Sequence, residues 1–362
     1  MKSCILVFLN CGLTVFVFAQ DSTVLKESPL SLSAYAEAYY SYDFNKPSGN
    51  NRPGFVYSHN RHNEFTINLA FIKAAWQQER LRANLALAAG TYMNANYAAE
   101  PGVLKNIYEA NIGYRLSDKH DWWIDVGIMP SHIGFESAVA ADCWTLTRSM
   151  LADNSPYYEA GAKLAFNSAN EKWSVALLAL NGWQRIQRVE GNSLVSWGGQ
   201  FQWKPRRSVL INYSNFIGTD QPDSTRKLRH FHNFYAIFPV AEKWQITAGV
   251  DMGWEQKEKG ADAWNDWQTA ALLLKYSPTE KWSLTARTEF YVDENGVIIP
   301  TGTANGFKTW GWSLNVDHQL AGNCWWRAEF RALRSRDDIF QKDDKFSATN
   351  IAIATSISIR IP

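Results

Sequence analysis

The chain has 362 residues with 36 basic and 35 acidic side chains, so it lacks the basic surplus by which nucleic-acid partners usually show themselves. Aromatic residues make up 14% of it, yet beyond the first residues no apolar stretch approaches the ~20 residues that a spanning helix needs. Any membrane insertion is therefore by a closed sheet, the other architecture that satisfies every backbone polar group in lipid.

Residues 1–19 read as a secretory signal peptide. Lys2 gives a positive start, Ile5 to Phe18 an apolar run, and Val17-Phe18-Ala19 a small-residue cleavage site before Gln20. Its removal takes Lys2 and no acidic residue, leaving 35 basic against 35 acidic side chains and no net field to favour either ion sign. Cys4 and Cys11 leave with it. Cys143 and Cys324 remain, and their pairing is left open, since two thiols are not a disulfide framework.

Residues 20–362 read as one domain of alternating segments. Phe65, Ile67, Leu69 and Phe71 oppose Glu64, Thr66, Asn68 and Ala70. Tyr108, Ala110, Ile112, Tyr114 and Leu116 oppose Glu109, Asn111, Gly113 and Arg115. Three copies of Glu-Lys-Trp, at Glu171-Lys172-Trp173, Glu242-Lys243-Trp244 and Glu280-Lys281-Trp282, each sit in a polar turn before such a segment. After the second, Trp244, Ile246, Ala248, Val250 and Met252 face one way, and Gln245, Thr247, Gly249 and Asp251 the other. Ile351 to Ile361 alternates most cleanly. A period of two marks strands.

Short turns are predicted at 77–80, 117–121, 168–172, 205–207, 241–243, 277–281 and 321–324. Longer polar loops fall at 45–62, 94–105, 131–156, 184–195, 218–228, 255–266, 293–308 and 337–347. Seven turns and eight loops imply sixteen strands, all antiparallel, with short periplasmic turns and long extracellular loops. A soluble β-sandwich or lipocalin-like barrel also alternates, with its apolar face inward. The export signal, the turn and loop asymmetry and the Trp at strand starts favour a transmembrane up-and-down β-barrel of about 16 strands (14–18) in the outer membrane.

Between residues 127 and 162 stand Gly127-Ile128-Met129-Pro130, Ile133-Gly134-Phe135-Glu136, Trp144, Thr147-Arg148-Ser149 and Pro156-Tyr157-Tyr158-Glu159-Ala160-Gly161-Ala162. This segment resembles the β-barrel porin-2 family of Gram-negative bacteria, in which a strand runs into Gly and Glu, a Ser/Arg loop follows, and a return strand opens with Pro and closes on Gly. The resemblance implies an outer-membrane porin of largely uncharacterised substrate. One departure is the ending Ile359-Arg360-Ile361-Pro362, without the terminal aromatic of many outer-membrane barrels.

The expected function is passive diffusion of small polar solutes through a water-filled lumen, with no cofactor, metal or catalytic residues. The expected partners are outer-membrane lipid, the solutes, the barrel-assembly machinery and, as an open question, further copies of the chain. A barrel enzyme of lipase or protease type and a non-conducting adhesin or anchor are the alternatives; no Gly-x-Ser-x-Gly elbow is present. Loop 131–156 is a candidate constriction through Glu136, Asp142, Arg148 and Asp153, since rings of charge select in pores. The alternation places Glu37, Glu109, Arg115, Asp125, Lys163, Arg287, Glu289, Arg327, Glu329 and Arg331 on the lumen face. Trp173, Trp203, Trp244, Trp282, Trp310 and Trp325 are expected to anchor the membrane interfaces.

Overall fold

The computed structural model describes residues 28–362, and the predicted signal peptide lies outside them. Sixteen strands form one closed antiparallel barrel. The first eight are β1 (Leu30–Asp43), β2 (Phe65–Gln78), β3 (Leu81–Ala89), β4 (Ile107–Arg115), β5 (Asp121–Pro130), β6 (Tyr158–Asn167), β7 (Trp173–Leu180) and β8 (Ser196–Arg206). The series continues with β9 (Val209–Gly218), β10 (Arg229–Ala241), β11 (Trp244–Gln256), β12 (Trp264–Tyr276), β13 (Trp282–Asp293), β14 (Phe307–Ala321) and β15 (Cys324–Ser335). A small hairpin of β16 (Phe340–Lys342) and β17 (Lys345–Ser347) decorates the last long loop. Strand β18 (Thr349–Ile361) then pairs with both β15 and β1 and closes the ring, leaving the barrel no free edge.

Each strand face has one solvent. Ile112, Leu177, Leu314 and Ile357 stand more than half exposed on the outside. Their neighbours in sequence, such as Asn111, Ser313, Ser356 and Ser358, are buried inside. A soluble barrel would have these faces reversed. At the short-turn end Trp173 stacks on Trp203 (5.4 Å), Trp244 on Tyr276 (4.5 Å) and Trp282 on His318 (4.0 Å). Trp310 sits outside near the other rim. Trp325 departs from the expected anchoring set: it pairs with the buried Ser358 and shares the parity of Arg327, so it faces the lumen mouth. Trp326 takes the outer position.

The simple alternation fails at β4, where Ala86 pairs with Glu109 but Leu87 with Ile107 and Tyr108 turns inward to stack on Phe71 at 5.3 Å, and again at β2. The register with β1 slips where Glu37 pairs with Leu69 but Ala38 with Ile67, so Asn68 is the extra residue of a bulge. Phe65 and Ile67 point outward, as expected. Leu69 is fully buried, and Phe71 stacks on Tyr35 at 5.8 Å inside the barrel. The bulge aims Asn68 into the lumen, where its amide donates to Glu37 (3.0 Å) and its Oδ1 accepts from the His59 backbone N–H (3.0 Å).

Candidate functional site: a loop-filled lumen

The chain between β5 and β6, residues 131–157, turns inward instead of outward. Its base is set by two glycines that pair across the strands, Gly127 with Gly161. Both hold positive φ (134° and 157°), and a Cβ there would meet the carbonyl oxygens of Ala110 and Ala179 at 2.2 and 2.0 Å. Only glycine permits that approach. Beyond them His132 is clamped between two acceptors, Glu159 Oε2 and the Asn215 carbonyl, each at 2.8 Å. Both ring nitrogens must therefore donate. Burial alone would lower the pKa of His132, but the Glu159 carboxylate overrides it and holds the value above the ordinary one.

The far part of the loop docks on β13, β14 and β15. The backbone N–H groups of Leu146, Thr147 and Met150 donate to Asn315 Oδ1 (3.0 Å), Glu329 Oε2 (2.5 Å) and Glu289 Oε2 (2.5 Å). In return Arg287 donates to Thr145 Oγ1 (2.7 Å) and the Thr147 carbonyl (2.8 Å), and Arg327 to the carbonyls of Ala140 and Cys143. The wall charges also pair among themselves: Arg287 with Glu329 (2.9 Å), Arg331 with Glu289 (2.8 Å) and Arg327 with Asp317 (2.6 Å). Only the Arg327–Asp317 pair is bidentate, through Nε to Oδ1 (2.6 Å) and Nη2 to Oδ2 (3.1 Å), but all three are charge-assisted, the strong class of hydrogen bond.

The four loop charges have separate places. Arg148 is fully buried and donates to the carbonyls of Ser137 (2.6 Å), Leu146 (2.7 Å) and Ala138 (3.0 Å). It staples the loop to itself, so its charge does not face water, contrary to the place in a charged constriction expected for it. Glu136 accepts from the backbone and hydroxyl of Ser149 and lies 3.9 Å from Arg287. Burial raises its pKa, with Arg287 and Ser149 pulling the other way. Asp153, at the end of a short helix (Met150–Asp153), is buried and pushed up to about 7 by desolvation. Asp142 alone is exposed, at the short-turn end, paired with Arg360 (2.6 Å). Cys143 and Cys324 are separate free thiols, and burial pushes Cys143 up to about 11.

A second loop, residues 44–64, also enters the lumen. His59 sits 3.2 Å from Glu37, and Ser58 donates to Asp153 at 3.4 Å, joining the two loops. The opposite wall, β2 to β6, stays more open. Lys73 pairs with Glu109 (2.6 Å) and Arg82 with Asp125 (2.6 Å), both cations being 29% exposed at their side chains. Arg115 lies 3.9 Å from Asp121 at the short-turn rim. Lys163 is half-buried and has no ion pair among the described residues. The lumen widens at both ends, into a cavity of about 630 Å³ under the long loops and one of about 790 Å³ beside Ser31, Gln77, Arg82 and Asn84.

The family description "Putative beta-barrel porin-2, OmpL-like" matches residues 29–361, nearly all of the described chain. The chain belongs to that family. No curated protein matches it in sequence. Among solved structures it is similar to the anion-selective porin from Comamonas acidovorans, with a TM-score of 0.62 at 8% identity over 92% of this chain and 100% of that one. The outer membrane channel DcaP of Acinetobacter baumannii gives 0.61 at 9% identity over 92% and 97%. A trimer form of OmpT from Vibrio cholerae gives 0.54 at 10% identity over 91% and 98%. At such identities the likeness is one of fold alone.

The sequence reading missed Lys73, Arg82, His132 and Arg52 as lumenal groups. Lys73 carried a usable signal. On the uninterrupted alternation it would point a charge into lipid, which is costly enough to demand a bulge upstream.

Proposed function

We propose that this porin-family barrel spans the bacterial outer membrane and passes small polar solutes passively, without catalysis, along the β2–β6 side of loop 131–157. The observation that carries this reading is the lopsided docking of the loop. It is bonded to β13–β15 through charges that no water reaches, while Lys73, Arg82 and Lys163 keep partial exposure across from it. Clefts lined by charge in low-dielectric walls concentrate ions of opposite sign, so those three cations are the ones placed to bias passage. The exposed apolar outer face and the aromatic pairs at its edge fit lipid and its headgroups. The trimer form of a similar barrel makes a homo-oligomer the natural assembly to test.

Purified, folded protein in planar bilayers should give stepwise conductance, and unboiled protein should migrate differently from boiled protein on gels. A barrel that is heat-modifiable but silent in bilayers would overturn passage and favour a closed, anchoring barrel. The dense filling of the mid-lumen by loops 44–64 and 131–157 is the observation on that side.

A further inference from the structure

The hairpin of β8 and β9 ends in a turn that is basic and has no carboxylate. It holds Lys204, Arg206 and Arg207, and no acidic residue occurs between Glu190 and Asp220. The other short turns that hold a cation each hold an acid as well: Glu79, Asp118, Glu171, Glu242 or Glu280. Lys204, Arg206 and Arg207 are exposed and form no ion pair among the described residues. The Lys204 N–H donates to the Lys172 carbonyl at 2.8 Å and so ties on the adjoining β6–β7 turn. That turn adds the exposed cation of Lys172, beside its own Glu171.

A bulge aims this charge outward. Trp203 pairs with Ile211 and Arg206 with Val209, so Lys204 and Pro205 stand together against Leu210. Proline has no N–H to give the ladder, and strands accommodate it at such bulges. Without the extra residue Arg206 would share the lumenal parity of the buried Ser196 and Gly198. With it, Arg206 shares the outer face with Trp203 and Ile211, which are 36% and 39% exposed. Trp203 stacks on Trp173, and aromatic pairs at a barrel's edge mark the headgroup level of the bilayer. Arg206 lies just past that level on the lipid side of the wall, where a solute in the lumen does not pass.

We propose that Lys172, Lys204, Arg206 and Arg207 seat the phosphate headgroup of an anionic phospholipid in the leaflet at the short-turn end, with Trp173 and Trp203 against the body of the lipid. The proposal rests on the membrane-spanning part of the porin reading and goes beyond it by naming a lipid partner. Charge decides the occupant. A zwitterionic headgroup brings its own cation to a patch already rich in them, and an anionic headgroup brings none. Guanidinium donors match phosphate oxygens in a fork. A second copy presenting the same turn would be repelled by like charge.

The test equilibrates the folded full-length barrel in detergent with equal amounts of phosphatidylglycerol and phosphatidylcholine of the same acyl chains. Native mass spectrometry then counts the lipid each barrel retains. Phosphatidylglycerol should exceed phosphatidylcholine at least about fivefold, the effect of a single basic side chain at an anionic surface. The triple variant Lys204→Gln/Arg206→Gln/Arg207→Gln should retain both lipids alike. The control Lys119→Gln/Lys243→Gln/Lys281→Gln removes the same charge from turns with acids of their own and should keep the wild-type ratio. Heat-modifiable migration verifies that each variant folds, and the wild-type ratio needs no variant. Equal retention by the wild type, a preference that survives the triple variant, or one lost equally in the control overturns the site. Flotation with phosphatidylcholine vesicles tests the membrane reading by itself. A barrel that floats without headgroup preference overturns the lipid site alone, and one that never floats overturns both. Silence in planar bilayers would sink solute passage and leave the lipid site standing.

Discussion

On strands β13 and β15, Arg287, Glu289, Arg327, Glu329 and Arg331 have side chains no more than 2% exposed. Further round the ring, on β2 and β3, Lys73 and Arg82 reach 29%. Both walls pair cations with carboxylates at hydrogen-bond distance, so their chemistry is alike. Their solvation is not, and solvation decides what a charge does. A sealed ion pair holds a loop in place and is invisible to passing ions; a wetted one is weak in stability and strong in its influence on traffic.

The largest expected effect attacks the sealed wall. Arg287→Met leaves Glu329 and Glu289 buried without their shared partner and should cost about 3–5 kcal/mol. Lys73→Met, on the wetted wall, should cost at most about 1 kcal/mol. Urea midpoints of the folded barrel measure both, and equal losses would break the contrast. Next is the outer face: Ala248 lies mid-strand on β11, pointing outward, and Ala248→Arg should cost roughly 2–4 kcal/mol by the same assay.

Selectivity tests the walls in the opposite sense. Lys163→Glu should shift the reversal potential toward cations in a low-salt gradient, and the shift should shrink as the screening length falls from about 10 Å at 0.1 M to about 3 Å at 1 M. Arg148→Gln should leave the reversal potential where it is, since that guanidinium is spent on loop carbonyls. A larger shift from Arg148 than from Lys163 would exchange the roles of the two sides.

The smallest effect is a pH dependence at the seam between loops. The Asp153 carboxyl is raised from 3.8 to about 7, so the docked loop retains a proton that an undocked loop releases. Docking is therefore strongest below pH ~4 and weakens as pH rises toward ~7, above which the penalty is constant. Hydrogen exchange of residues 145–156, corrected for intrinsic rates, should show less protection at pH 8 than at pH 5.5. Asp153→Asn should flatten the difference.

The barrel was legible because strand alternation and turn chemistry are local. The predicted turn at 277–281 lies between β12 ending at Tyr276 and β13 beginning at Trp282, and the strand count agrees. Two things were not legible. The bulge at Asn68 inverts the rest of β2, and nothing within four residues announces it; only Lys73 downstream does. The interior of loop 131–157 was opaque for a different reason. A length of charged chain between strands looks the same whether it waves in solvent or fills a lumen. Its partners Asn315, Glu329 and Arg327 lie 169 to 187 positions away, beyond any periodic signal. Arg148 was singled out for its charge, and its work is done by donor geometry.

Those same distant partners order the events of assembly. The loop leaves β5 early in the chain, while the wall it needs is on β13 to β15, near the end. Until the last strands arrive, the loop's N–H groups and the carboxylates of Glu289 and Glu329 have only water to bond. Contacts this far apart carry a large closure entropy and form late. Ring closure by β18 and docking of the loop thus fall together as one cooperative step. A barrel halted before its final strands would present an unseated loop and an unpaired row of buried charge, a state open to proteases in a way the finished ring is not.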